Sequence, residues 1–286
     1  MSFWLLQTLN SLAFGAVLFL LSSGFSLIFG LMRIPNLSHG GLFMLGAYIG
    51  VGVLAKGAGF WLAAIAGGIC TALLGGLIER FLLRRLASNE NAQVLATIGI
   101  TFIIADFAVA VWGGDPHSLP PPPALQSSIA VAGFTFPAYR MAIIAAALVI
   151  AGVLWLTIEK TRVGAMLRAG VDDPQMARGL GIPVFRLFTA VFCLGAGLAG
   201  LGGVLAGPIL SAYPGLDMDM LPLALIVVTF GGVGSLSGAL LGSLLIGLLY
   251  TFSQALLPDL AYVILFIPMV LVLVLRPRGL MGRVAV

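Results

Sequence analysis

The chain has 286 residues, of which 60% are hydrophobic and 8% charged, and its mean hydropathy is +1.16; an ordinary soluble domain carries roughly 25% charged residues. That composition excludes a water-soluble fold, and the 38 glycines favour close helix–helix packing in a bilayer over a Leu-filled soluble core. The formal charge of +4 is no sign of nucleic-acid binding, because the basic residues sit in short turns between apolar runs, as in proteins oriented by the positive-inside effect. The expected fold is therefore all-α: one polytopic transmembrane helical bundle over 1–286.

Crossing about 30 Å of hydrocarbon takes about 20 mostly apolar residues. Such windows fall near 4–31, 41–55, 60–83, 93–112, 140–158, 187–210, 218–231, 238–256 and 260–275, which makes eight or nine segments. The stretches 41–55 and 218–231 lie beside Gly-rich breaks and read as half-helices or re-entrant pieces, a form tolerated where protein or a cavity surrounds it. The first window is preceded by no basic n-region and runs too long for a signal-peptide core, so it is expected to stay in the mature protein. Cys70 and Cys193, the two cysteines, lie in apolar runs and read as packing residues, with no disulfide framework or metal spacing.

Orientation follows from the basic residues. Arg80, Arg84 and Arg85 end the third window, Lys160, Arg162, Arg168, Arg178 and Arg186 follow the fifth, and Arg276, Arg278 and Arg283 close the chain. With these on the cytoplasmic side, the Pro-rich loop over 113–139 and the acidic turn carrying Asp217 and Asp219 fall outside. Nine crossings leave the N-terminus outside and eight leave it inside. The run of four prolines from Pro120 to Pro123 predicts an extended loop with few internal hydrogen bonds, either a spacer or a contact surface for an extracytoplasmic partner. Glu79 is expected to pair with its neighbour Arg80. Asp106 lies in mid-segment, where a carboxylate is costly and faces a partner or a water-filled cavity.

The longest internal polar stretch, 159–186, predicts a small helix with defined ends. Asp173 is its N-cap, Pro174 suits the first helical position, and Gly181 with Pro183 stops it. Thr161 to Ala169 is expected to form another short helix or to continue the preceding one. Such pieces suit either an amphipathic surface connector or a rigid contact with a cytoplasmic protein.

The run TRVGAMLRAGVDDPQMARGLGIPVFR resembles the cytoplasmic coupling loop of branched-chain amino-acid ABC permeases, where Gly-x-x-x-Arg-Ala precedes a helix ending in Ala-x-x-x-Gly-Ile. Gly164, Arg168, Ala169, Ala177, Gly181 and Ile182 occupy those positions. The resemblance implies that the loop, with Asp173 capping its helix, couples the chain to an ATP-hydrolysing subunit. GLMRIPNLSHGGLFMLGAY is similar to the family signature Ile-Asn-Phe-Ala-His-Gly; Asn36, His39 and Gly40 match, while Pro35, Leu37 and Ser38 depart from it. FGGVGSLSGALLG is similar to the Gly-Gly-x-Gly-Ser-x-x-Gly signature. Order and spacing resemble the shorter, LivH-like permease type. Substrate-path candidates on this reading are Asn36, Ser38, His39 and Gly40 in one break and Gly231, Gly232, Gly234 and Ser235 in the other; polar groups at discontinuous helices serve either substrate or neighbouring backbone.

The chain has no G-x-x-x-x-G-K-S/T phosphate cradle, so no cofactor is expected on it, and ATP with Mg²⁺ is expected on partner subunits. Family resemblance implies a second related permease, two cytoplasmic ATPases, a periplasmic or surface solute-binding protein, and a multi-pass place in the bacterial inner membrane. A secondary transporter would need several paired intramembrane charges. A membrane enzyme would need a catalytic constellation, which two histidines and scattered acids do not make. A third alternative is a membrane scaffold without transport activity, which would copurify with no ATPase. The substrate stays open among branched-chain and other amino acids, amides and urea.

Overall fold

The structure, a computed structural model, describes residues 2–32, 36–131 and 134–282; Pro35 and Arg283, named above, lie outside the described residues. The described helices are α1 (Ser2–Met32), α2 (His39–Ala55), α3 (Phe60–Phe81), α4 (Glu90–Trp112), α5 (Ala138–Lys160), α6 (Arg162–Asp172), α7 (Pro174–Gly179), α8 (Val184–Leu210), α9 (Leu216–Gly231), α10 (Leu236–Leu256) and α11 (Ala261–Leu275). Seven spans are long and apolar enough to cross a membrane: α1, α3, α4, α5, α8, α10, and α11 together with the 3₁₀ turn Pro258–Leu260 that leads into it. The polytopic helical bundle is thus the observed architecture. Helices α2 and α9, with 17 and 16 residues, fall short of a full crossing at 1.5 Å per residue. They are the two windows that the sequence sets apart as short.

The bundle is organised around α1. Of its most apolar window, 89% is buried, against 17% for the window that contains α11, so α1 is the axis and α11 an outer wall. Inside lipid no hydrophobic effect draws helices together, and packing must come from close backbone approach. Glycines supply it: Gly24 faces Gly195 across α1 and α8, Gly15 faces Gly247 across α1 and α10, and Gly46 faces Gly200 across α2 and α8. A Cβ at Gly24 or Gly46 would strike the opposite backbone.

Helix α2 begins inside the bundle. The His39 ring Nε2 lies 3.0 Å from the Leu21 carbonyl oxygen, and Thr101 Oγ1 donates to the Leu37 carbonyl at 3.3 Å; Leu21 and Thr101 sit near the middle of α1 and α4. From there α2 rises to the outer end, where Gly50 packs against Leu119. Helix α9 runs the opposite way beside it, with the Asp217 carbonyl packed on Gly40. Asp217 is therefore 2% exposed, which corrects its expected place on an outer acidic turn. The turn from Ser211 to Gly215 folds back into the bundle and takes the first turn of α9 with it.

The Pro-rich loop also differs from expectation. It holds a 3₁₀ turn at Pro123–Leu125 and an antiparallel hairpin of β1 (Ser128–Val131) and β2 (Phe134–Pro137). His117 and Ala212 exchange backbone hydrogen bonds of 2.7 and 2.8 Å, and Leu119 is wedged between Gly50 and Gly207 with 1% exposure. Proline lacks an N–H, but the β-branched and aromatic residues that follow the prolines favour a strand pair. The loop is a folded cover over the outer end.

At the opposite end the Arg-rich segments gather on one face. Arg84 Nη2 bonds both Glu79 oxygens at 2.8 and 2.9 Å and reaches Thr189 Oγ1 at 2.5 Å and the Phe185 carbonyl at 3.2 Å. Glu79 thus pairs with Arg84 rather than Arg80, because adjacent helical side chains diverge while the turn after α3 folds Arg84 back. The C-terminal segment closes the same face: the N–H groups of Leu280 and Met281 donate to the last carbonyls of α9, Phe230 and Gly231, at 2.9 Å each.

Candidate functional site

The Arg-rich face carries α6 and α7. Thr161 caps α6, accepting from the Gly164 N–H, and Gly164 packs so closely on the Ile158 carbonyl that a Cβ there would collide with it. Arg168 Nη1 donates to that carbonyl at 2.5 Å and lies 3.7 Å from the Glu159 carboxylate. Gly164 and Arg168 therefore fix the angle at which α6 leaves α5. Ala169 sits one turn before Asp173, and its carbonyl accepts the Asp173 N–H at 3.1 Å.

Asp173 Oδ1 accepts from the N–H groups of Gln175 and Met176 at 2.9 Å each, which satisfies two of the free donors at the start of α7. Gly181, with φ +81°, reverses the chain in the left-handed region open to glycine, and the Ile182 N–H returns to the Ala177 carbonyl at 3.0 Å. Ala177 is buried and anchors α7. The opposite side is bare: Met176 and Leu180 are 63% and 75% exposed. Arg178 lies over the Phe185 ring, which Arg84 also approaches. This short capped helix presents two large apolar side chains and flanking cations to whatever meets the Arg-rich face.

The other candidates fall into two separate places. Asn36, Ser38, His39 and Gly40 are fully buried at mid-depth. Asn36 Oδ1 accepts from the Ser38 N–H at 3.2 Å and its hydroxyl at 2.6 Å, a local turn that starts α2. Because the His39 Nε2 faces a carbonyl, that nitrogen carries the proton and Nδ1 is left as an acceptor; the ring also packs on Phe25. Gly231, Gly232, Gly234 and Ser235 lie at the Arg-rich end. There Gly234 touches Gly30, Gly232 touches Gly279 and Gly282, and Ser235 caps α10 through the Gly238 N–H at 3.0 Å. Leu21 and Gly30 mark the two places on α1, about 14 Å apart at 1.5 Å per residue. The structure does not bring them into one site.

Sequence reasoning missed two residues beside the first group. Both carboxylate oxygens of Asp217, the Tyr48 hydroxyl, His39 Nδ1, Asn36 Nδ2 and Ser22 Oγ are buried with no hydrogen-bond partner. An acidic residue just after Tyr-Pro-Gly reads as a surface turn, and only the tertiary fold buries it. Asp106, by contrast, is exposed on the outer side of α4 between Phe102, Ile103 and Phe107. Gly99, two turns away on that side, has no atom within 4 Å of where its Cβ would stand.

The profile of the family described as "Branched-chain amino acid transport system / permease component" matches residues 7–273. The chain belongs to that family. It is a permease subunit of the ABC-importer kind and a multi-pass membrane protein. Among its relatives, the high-affinity branched-chain amino acid transport system permease protein LivH of Escherichia coli is 27% identical, over 98% of this chain and 96% of its own length. The corresponding protein BraD of Pseudomonas aeruginosa is 28% identical with the same coverage. A probable LivH of Methanocaldococcus jannaschii is 26% identical over 84% of this chain and 78% of its own. No solved structure matches the chain.

Proposed function

We propose that this chain is one of two related permease subunits that together enclose the translocation path of an inner-membrane importer for branched-chain or related amino acids. A solute-binding protein delivers the amino acid on the outer side, and two cytoplasmic ATPases, using ATP and Mg²⁺, drive the cycle; this chain itself carries no cofactor. Relatives named for branched-chain amino acid transport support that substrate class.

The observation that carries the coupling role is the exposed Met176 and Leu180 pair on the capped helix α7. Large apolar side chains held on a rigid, cation-flanked turn suit a groove in a cytoplasmic partner. Closure of the ATPases would push α7, and the Gly164–Arg168 joint to Ile158 would carry the movement into α5. Gly164, Arg168, Ala169, Asp173, Ala177 and Gly181 serve this joint and helix; the Asn36–Gly40 and Gly231–Ser235 breaks are the path candidates, two separate places rather than one binding pocket. ATP shifts such an equilibrium only through its differential affinity for the two states.

Purification of the tagged chain from native membranes tests the assembly. The expected eluate contains ATPase subunits whose hydrolysis rises with leucine-loaded binding protein; a lone chain that transports in liposomes without ATP would refute it. Within the complex, substitution of Arg168 or Gly181 is expected to lower transport per ATP hydrolysed, and normal coupling in both variants would remove α7 from the mechanism.

A further inference from the structure

The unpartnered buried groups between α2 and α9 share a chemistry. Gly40, Met44 and Tyr48 recur every four residues and form one stripe along α2. Gly40 packs on the Asp217 backbone, so this stripe faces the start of α9. A helical Cβ tilts toward its own N-terminus, and α9 runs antiparallel to α2, so the Asp217 carboxylate leans along the stripe toward Tyr48. The two groups are within electrostatic reach of each other. Asp217 is 2% exposed and Tyr48 0%, and neither carboxylate oxygen nor the phenol oxygen has a hydrogen-bond partner. Below them, His39 Nδ1 is a third free acceptor.

A buried carboxylate with no counter-charge is among the costliest features a protein interior can hold. No Lys or Arg bonds it among the described residues. The donors nearby, Asn36 Nδ2 and the Tyr48 and Ser22 hydroxyls, are neutral, so the carboxylate charge itself is left unbalanced and calls for a positive ligand.

We propose that Asp217, with the Tyr48 hydroxyl, is a binding site for a small cationic group within the membrane core, either an inorganic monovalent cation or the ammonium of a transported amino acid. The ammonium alternative rests on the importer reading above; the inorganic one does not. Entry requires Gly40 and the Asp217 turn to part, which places the site where two discontinuous helices meet.

The test uses the complete complex in detergent, melted in N-methylglucamine chloride, whose cation is too bulky to enter, and then with added NaCl, KCl, leucine, or 4-methylpentanoate, which has the leucine side chain but no ammonium. Wild type is expected to gain about 4 °C or more at saturation. A gain with Na⁺ or K⁺ alone identifies an inorganic ion; a gain with leucine but not 4-methylpentanoate identifies the ammonium.

Asp217→Asn should abolish the gain and, in N-methylglucamine, melt at or above wild type, because it removes an uncompensated charge. Should Asp217→Asn fail to assemble, Tyr48→Phe, which keeps the shape, should raise the half-saturating concentration about tenfold. A wild type indifferent to every addition, or variants that keep the full gain with unchanged midpoint, would overturn the site. Failure of the importer reading would show separately, as absence of ATPases from the eluate with the Na⁺ or K⁺ response intact.

Discussion

Helix α7 and the start of α2 are both short breaks in a hydrophobic chain, yet they are built by opposite means. Helix α7 is held by its own sequence: Asp173 caps it, Pro174 opens it and Gly181 closes it within nine residues. Its outward side chains are left bare. The start of α2 is held by other elements: Leu21 from α1, Thr101 from α4 and Asp217 from α9 meet it inside the bundle. A locally specified piece can be displaced as a rigid unit, whereas a tertiary junction changes only when several helices move together.

Substitutions can break that contrast, and the largest effect is expected in the bundle. Gly46→Leu places a side chain where α2 meets the Gly200 backbone; overpacking costs about 1–3 kcal/mol or more, so the variant should lose folded yield and melt well below wild type in detergent. Asp173→Ala removes one cap and should cost about 1 kcal/mol locally, seen as faster hydrogen exchange in α7 with the bundle unchanged, while Asp173→Asn should restore protection. Gly99→Ala should have the smallest effect and the opposite sign. With open space at its Cβ, the variant should gain about 0.5–1 kcal/mol from helix propensity, unless the outer side of α4 around Asp106 packs against another chain, in which case assembly yield falls instead.

The same contrast explains what the sequence made legible. Apolar windows located the crossing helices and singled out α2 and α9 as short, because lipid demands long uninterrupted runs. The cap of α7 was readable because its donors and acceptor lie within three residues. The Asp217 environment was not: nothing in the Tyr213-Pro214-Gly215 turn signals that it folds inward onto Gly40. The loop hairpin was hidden by its prolines, and the Glu79–Arg84 pair depends on a turn whose geometry no short-range pattern sets. Nor could spacing reveal that the Asn36 and Gly231 breaks lie at different depths on α1.

The central claim, that the exposed side of α7 transmits ATPase movement, is tested most directly by the number of ATP molecules hydrolysed per amino acid imported by the reconstituted complex carrying Met176→Glu and Leu180→Glu. Both side chains stand off the protein surface, so the variant should fold and melt like wild type. The account predicts that import falls at least tenfold relative to hydrolysis, or that the ATPases no longer copurify. A stable variant with bound ATPases and the wild-type ratio would contradict it.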